Sequence, residues 1–246
     1  MKKVFLTLMV AMMAIGMSAA DMPKQGFGLQ IGWAQPILRL NSPNTTFPSD
    51  SLANTIKLNG FKVGLVYDAS YVKGFGSLIG LNYTFGMSNG GWKSRNPRFN
   101  EYPKDRALIT YQELEVYVDW QYKFEIAKET YLMVYTGPTI QCGLAFTMRQ
   151  DTREQDFNTG DITTTYGAKN SAYTTTVNDE ALRRFNVTWG VGAGFQYKRY
   201  FLRGGYDFGL LNPYRNADFV SGRHTRGRLD QWNIKVGIYL WYNDSE

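Results

Sequence analysis

The chain has 246 residues, a formal net charge of +6, 43% hydrophobic residues and 15% aromatic residues. One Cys and one His exclude an internal disulfide and a His-rich zinc site. Beyond residue 20 there is no run of 18 apolar residues, which excludes a transmembrane helix.

Residues 1–20 read as a cleaved signal peptide: Lys2 and Lys3 form a basic start, Val4 to Ile15 an apolar core, and Ser18-Ala19-Ala20 a small-residue cleavage site. The apolar run is short for an N-terminal anchor, the alternative. No Cys follows the cleavage site, so a lipoprotein is not expected. Residues 21–246 then form one domain, and loss of two Lys takes the formal charge from +6 to +4. Tyr leads the aromatics at 17, Gly numbers 25, and helix-like patterns are few, which points to an all-β fold.

Eight strands follow in order. About Gly26 to Ala34 places Phe27, Leu29, Ile31 and Trp33 on one face. Gly60 to Asp68 does so with Phe61, Val63, Leu65 and Tyr67, and Leu78 to Met87 with Ile79, Leu81, Tyr83, Phe85 and Met87. Glu113 to Phe124 aligns Leu114, Val116, Val118, Trp120, Tyr122 and Phe124. Tyr131 to Phe146 aligns Leu132, Val134, Thr136, Pro138, Ile140, Cys142, Leu144 and Phe146. Phe185 to Tyr197 and Leu202 to Leu210 continue the alternation, and Trp232 to Tyr242 ends it with Trp232, Ile234, Val236, Ile238, Leu240 and Tyr242. Pro36 and Pro138 leave the register of the first and fifth strands open, because Pro removes a ladder donor.

Successive strand residues point to opposite faces. By chance roughly nine of some 45 apolar-face positions would be charged, and none is, whereas a charge facing lipid costs about 2–4 kcal/mol at mid-membrane. The opposite faces carry Gln30, Lys62, Asn82, Glu113, Glu115, Asp119, Lys123, Gln141, Asn186, Arg203, Asp207, Asn233 and Lys235. Apolar-out and polar-in is the pattern of a membrane barrel; a soluble barrel inverts it. The expected fold is all-β, an eight-stranded antiparallel transmembrane β-barrel. A secreted lipocalin-like binder is the alternative.

Connections alternate. Those at 68–75, 125–130 and 198–200 are short; those at 41–56, 88–108, 149–184 and 212–228 are long. Outer-membrane barrels have short periplasmic turns and long extracellular loops. An even strand number places both termini in the periplasm. Tyr67, Tyr122, Tyr197 and Tyr242 at one end, and Trp189 and Trp232 at the other, fit interfacial girdles.

These features resemble the small eight-stranded outer-membrane barrels of the OmpA/OmpX type and, more loosely, the PorT-like outer membrane protein beta-barrel domain family. Lys235-x-Gly237-x-x-Leu240-x-Tyr242 resembles the C-terminal signal read by the barrel-assembly machinery, although here four residues follow the aromatic. The resemblance implies an outer-membrane location in a Gram-negative-type bacterium, and a role beside a secretion or envelope machine.

Chemistry is sparse, and no cofactor is implied. His224 lacks the Ser or acid neighbours of a catalytic site. Gly190-Val191-Gly192-Ala193-Gly194 lacks the βαβ setting of a nucleotide loop; such glycines make room for facing side chains such as Tyr135 or Arg203. Lys62, Glu113, Glu115, Asp119, Lys123, Arg203, Asp207 and Lys235 form a lumen charge cluster of four acids and four bases. A barrel this narrow is filled by side chains, so a packed ionic core is the first reading and a narrow gated channel the second. Lys93, Arg95 and Arg98 in one long loop, and Arg215, Arg223, Arg226 and Arg228 in another, are candidate contacts to lipopolysaccharide phosphates, since guanidinium forks suit phosphate. The Thr runs at 163–165 and 174–176 are expected to pair as a hairpin offering strand edges to a partner. Three functions remain open: a structural or interaction barrel binding lipopolysaccharide or an envelope protein, a channel, or an outer-membrane lipid-modifying enzyme. Nucleic acid is not an expected partner.

Overall fold

The computed structural model describes residues 25–40, 55–72, 74–94, 102–156, 158–173, 182–213 and 227–243. The alternation of the sequence becomes the strands β1 (Gln25–Leu40), β2 (Thr55–Lys57), β3 (Asn59–Val72), β4 (Phe75–Asn89), β5 (Lys93–Ser94), β6 (Lys104–Ala127), β7 (Thr130–Gln155), β8 (Ile162–Tyr166), β9 (Asn170–Ser171), β10 (Phe185–Tyr197), β11 (Tyr200–Gly209) and β12 (Gly227–Asn243). Eight of them form a ring in the order β6-β4-β3-β1-β12-β11-β10-β7, closed by the β6–β7 pairing, all antiparallel. Closure leaves no free edge in the ring.

The outer wall is the apolar face. Leu29, Ile31, Phe61, Leu65, Ile79, Leu81, Val116, Leu132, Ile140, Val191, Leu202, Ile234 and Val236 are all exposed. The interior is polar: Gln30, Lys62, Asn82, Glu115, Gln141, Arg203 and Gln231 are each 2% exposed or less. An apolar exterior around a polar interior is stable only in lipid, so this is a transmembrane barrel. Polar groups on the outer wall are satisfied locally; Trp189 Nε1 donates to Thr136 Oγ1 at 2.8 Å, and that hydroxyl donates to the Gly190 carbonyl at 2.8 Å.

Both ends of the described chain and the short β3–β4, β6–β7 and β10–β11 turns share one end, as Gln25 pairs with both Asn243 and Ala69. The tight turns use positive φ at Gly74 (86°), Glu129 (59°) and Lys198 (53°).

Two bulges change the expected parity. In β7, Gln112 faces Ala145 but Glu113 faces Gly143, so Leu144 is an extra residue. Beyond it the inward positions shift by one, and Phe146, expected on the outer face, is buried inside. In β12, Leu240 is the extra residue between the Phe27–Trp241 and Gly28–Tyr239 pairs. Trp241 therefore faces outward, while Tyr242, expected in the outer girdle, turns inward to stack on Tyr239 at 5.0 Å and accept a 2.7 Å hydrogen bond from Gln196.

Opposite Pro138 the β6–β7 ladder skips Val118 and Asp119, then resumes. β4 accompanies β6 as far as the Asn89–Leu108 pair, and beyond it β6 and β7 continue together to the Lys104–Arg153 pair. At ~3.3 Å per residue this blade projects about 13 Å along the strands. β5 lengthens its β6 side, and β8 and β9 its β7 side. Thr163, Thr164 and Thr165 thus pair with Glu154, Arg153 and Thr152 of β7. The second Thr run, residues 174–176, lies outside the described residues, as do residues 1–20.

Candidate functional site

Interior residues of β6 descend the lumen in line: Tyr111, Glu113, Glu115, Tyr117, Asp119, Gln121 and Lys123 all face inward and are buried. Against them stand Lys62 of β3, Arg203 of β11 and Lys235 of β12. Lys62 Nζ sits 2.6 and 2.8 Å from the Glu115 carboxylate oxygens. Glu115 also accepts from Gln231 Nε2 at 2.7 Å and Asn82 Nδ2 at 3.2 Å. Asn82 Oδ1 in turn accepts from Gln30 at 2.5 Å, and Gln30 reaches the Tyr117 hydroxyl at 2.9 Å. Below this layer Arg203 pairs with Asp119 at 3.0 Å and lies 3.9 Å over the Tyr135 ring. Asp207 accepts from Asn233 at 2.8 Å, and Lys235 Nζ sits 4.5 Å over the Tyr117 ring. The Tyr111 hydroxyl donates to Glu113.

The glycines of β10 are sockets: a Cβ at Gly192 would come within 2.3 Å of the Tyr135 ring, and one at Gly190 within 2.5 Å of Asp207 Oδ1. Substituted side chains there have no room, because the lumen is full.

Lys123 finds its partner in Asp68, at 2.5 Å, a residue absent from the expected cluster. Asp68 also accepts from Gln121 at 2.6 Å and from the Tyr239 hydroxyl at 2.6 Å. Its even position on β3, in phase with Lys62, is the signal that identifies it. The amides Gln30, Asn82 and Gln141 are likewise legible only as polar positions of inward phase, and Gln231 falls one residue before the strand expected from Trp232.

Apolar layers close both ends. Toward the turns, Val66, Leu78, Tyr117, Met133, Phe201 and Tyr239 pack together with Tyr242. Toward the blade, Leu38, Leu58, Ile109, Tyr111, Phe146, Ala172, Tyr173 and Leu182 form a plug. The chain after β9 supplies part of it: Ala172 N donates to Phe146 O at 2.8 Å, Leu182 N to Ala172 O at 2.9 Å, and Gly143 N to Arg184 O at 2.6 Å. The Tyr173 ring fills the space that Gly143 leaves open.

Lys93 pairs in β5 opposite Asp105. Arg228 Nε lies 2.7 Å from Asp230, which Arg39 Nε approaches at 2.9 Å and Tyr206 caps at 2.8 Å. So part of the positive charge of the last long loop is held by a carboxylate. Arg95, Arg98, Arg215, Arg223, Arg226 and His224 lie outside the described residues. Of the sequence resembling an assembly signal, Lys235 and Tyr242 point into the lumen, Gly237 makes room for the Phe201 ring, and Leu240 is the bulge.

The blade holds its own ionic knot. Asp151, fully buried, accepts from Arg106 at 2.7 Å and from Arg149 at 3.1 Å. Desolvation raises the Asp151 carboxyl pKa, but the two guanidinium hydrogen bonds and charges outweigh it and hold it below the usual carboxylate range. A depressed folded-state pKa adds stability above the unfolded value and loses it as pH falls. The blade is therefore expected to become protease-sensitive at acid pH before the ring unfolds, and Asp151→Asn to show the acid behaviour already at neutral pH. Limited proteolysis across pH 3 to 7 checks this; equal profiles for the two proteins would exclude Asp151 as the cause.

No protein-family model and no curated protein matches the chain. Solved structures do. Ail, the attachment invasion locus protein of Yersinia pestis, in complex with the heparin analogue sucrose octasulfate, overlaps at TM-score 0.39 with 11% identity over 88% of this chain and 99% of that one. Neisserial surface protein A overlaps at 0.39 with 10% identity over 87% and 97%. The N-terminal β-barrel domain of Pseudomonas aeruginosa OprF overlaps at 0.28 with 9% identity over 87% and 99%. All three are small outer-membrane β-barrels. This chain's membership of that architectural class rests on its closed eight-strand ring and apolar wall.

Proposed function

We propose that this is a non-conducting outer-membrane interaction barrel whose work is done by the parts that project beyond the ring. The carrying observation is the sealed lumen: an ion-paired layer between two apolar layers, with Lys62, Glu113, Glu115 and Arg203 each 2% exposed or less. A pore of this width needs wetted, loosely paired groups; here Lys62–Glu115, Arg203–Asp119 and Lys123–Asp68 are directly paired.

In this reading residues 1–20 are removed as a signal peptide, leaving one barrel domain. Both termini and the short turns face the periplasm, and the blade faces outward. The barrel-assembly machinery inserts the chain, and β12 with Lys235, Gly237, Leu240 and Tyr242 is the segment it would read. The partners are outer-membrane lipids, lipopolysaccharide among them, and an envelope or secretion protein of the kind the PorT-like resemblance implies. Lys93, Arg95, Arg98, Arg215, Arg223, Arg226 and Arg228 remain the candidate lipopolysaccharide contacts of the loops. No catalytic role is assigned.

Reconstitution in planar bilayers tests the reading. The barrel is expected to be silent, and Glu115→Gln to leave it silent. Conductance steps whose size changes in Glu115→Gln or Arg203→Gln would establish the channel instead.

A further inference from the structure

We propose that the outward face of the blade carries a binding site for phosphate esters of the surrounding glycolipid layer, built by Lys104, Arg106, Arg149 and Arg153. This rests on the reading that the blade stands at the cell exterior.

The register puts these groups on one face. Lys104 lies directly opposite Arg153, Arg106 opposite Asp151, and Leu108 opposite Arg149. Residues paired across an antiparallel ladder share a face. Ile109 and Tyr111 belong to the plug, which marks the other face as inward. Four cations therefore stand outward against one carboxylate, Asp151. Arg106 and Arg149 share that carboxylate. Among the described residues Lys104 and Arg153 have no ion pair.

Like charges directly opposite each other cost stability in a sheet. The Lys104–Arg153 pair keeps that cost, and an anion seated between them removes it. The side chains are also held in place before any ligand arrives. Arg106 lies 4.7 Å and Arg153 4.1 Å over the Trp92 ring, Arg149 lies 5.3 Å over Tyr166, and Lys104 lies 5.0 Å over Tyr102. Aromatic contact fixes rotamers that would otherwise be lost on binding. The Nε atoms of Arg106 and Arg153 lack hydrogen-bond acceptors, while Arg149 Nε lies 2.9 Å from Asp151.

Position selects the ligand. Arg149 is five residues beyond Leu144, an exposed apolar side chain of β7. At ~3.3 Å per residue and a tilt near 40°, that is about 12 Å above Leu144 along the membrane normal. The face stands in the headgroup and sugar layer, where phosphate esters are the dense anions that guanidinium forks fit.

The test compares full-length protein and its Lys104→Gln/Arg153→Gln variant in nanodiscs. The probes are lipopolysaccharide, the same lipopolysaccharide stripped of phosphate, and a soluble bisphosphorylated hexose. The wild type is expected to prefer phosphorylated lipopolysaccharide, and the variant to lose about tenfold in affinity, the scale of lost charge-assisted hydrogen bonds. In lipid without lipopolysaccharide the variant should melt at the same or a higher temperature, because its like-charge pair is gone; a purely structural cluster would lower it. Equal affinity for the stripped lipid, wild-type affinity in the variant, or equal capture of the soluble hexose overturns the proposal. Channel steps in bilayers would instead overturn the reading of the barrel as an interaction protein.

Discussion

Glu115→Ala is expected to destabilise the barrel by about 3–5 kcal/mol, read as a lower urea midpoint for unfolding from lipid bilayers, because it strands a buried cation. Glu115 takes both oxygens' worth of Lys62 at 2.6 and 2.8 Å, with Gln231 and Asn82 as further donors. Removing it leaves Lys62 at 1% exposure without its counter-charge. Lys62→Met/Glu115→Met, which removes both charges, is expected to cost far less than either single change, since apolar replacement of a whole buried pair is often neutral. If the single variant lost under about 1 kcal/mol, the layer would be wetted rather than packed, and the seal argument would fall.

The second large effect concerns the plug. Phe146→Ala is expected to cost about 3–5 kcal/mol, the range for emptying a buried aromatic site. Phe146 packs against Tyr111 at 5.6 Å and Tyr173 at 6.3 Å. Tyr173→Ala should cost less beside Phe146→Ala than alone, because neighbours in one cluster do not add. Neither variant is expected to conduct, since the Lys62–Glu115 layer beneath remains intact. Channel events in Phe146→Ala/Tyr173→Ala, with the ionic layer unaltered, would show that the plug is the gate.

The ring was legible wherever lipid constrains one face. From Phe27 to Trp33 or Leu114 to Phe124, a charge in the wrong phase would meet hydrocarbon, so the sequence alternates without exception. Where that constraint ends, the signal ends. Residues 104–112 and 147–155 are not held by the apolar wall; Ile109 and Tyr111 turn into the plug while the rest mixes polar and apolar residues, so long strands there look like loop. Bulges are a different blind spot. Leu144 and Leu240 are ordinary apolar residues in phase with their strands, and only the partner strand reveals the extra residue. Each displaces one aromatic, Phe146 and Tyr242, from the wall to the interior. In the lumen the acids and bases were legible by parity, but their pairing was not. Asp68 completes Lys123 from a strand 55 positions away, which no local pattern records.

The ring closes between its first and last strands, Gln25 opposite Asn243 and Leu40 opposite Gly227. That pairing spans nearly the whole chain, so it carries the largest loop-closure cost and forms late, whereas the β6–β7 hairpin closes at a tight turn, Ala127 opposite Thr130, and has the longest ladder. Before closure the sheet has two raw edges, β1 and β12. An edge of unpaired N–H and C=O groups is a template for any strand that meets it. During biogenesis β12 is thus a temporary seam, and whatever holds it until β1 arrives determines whether the chain becomes a barrel or an aggregate.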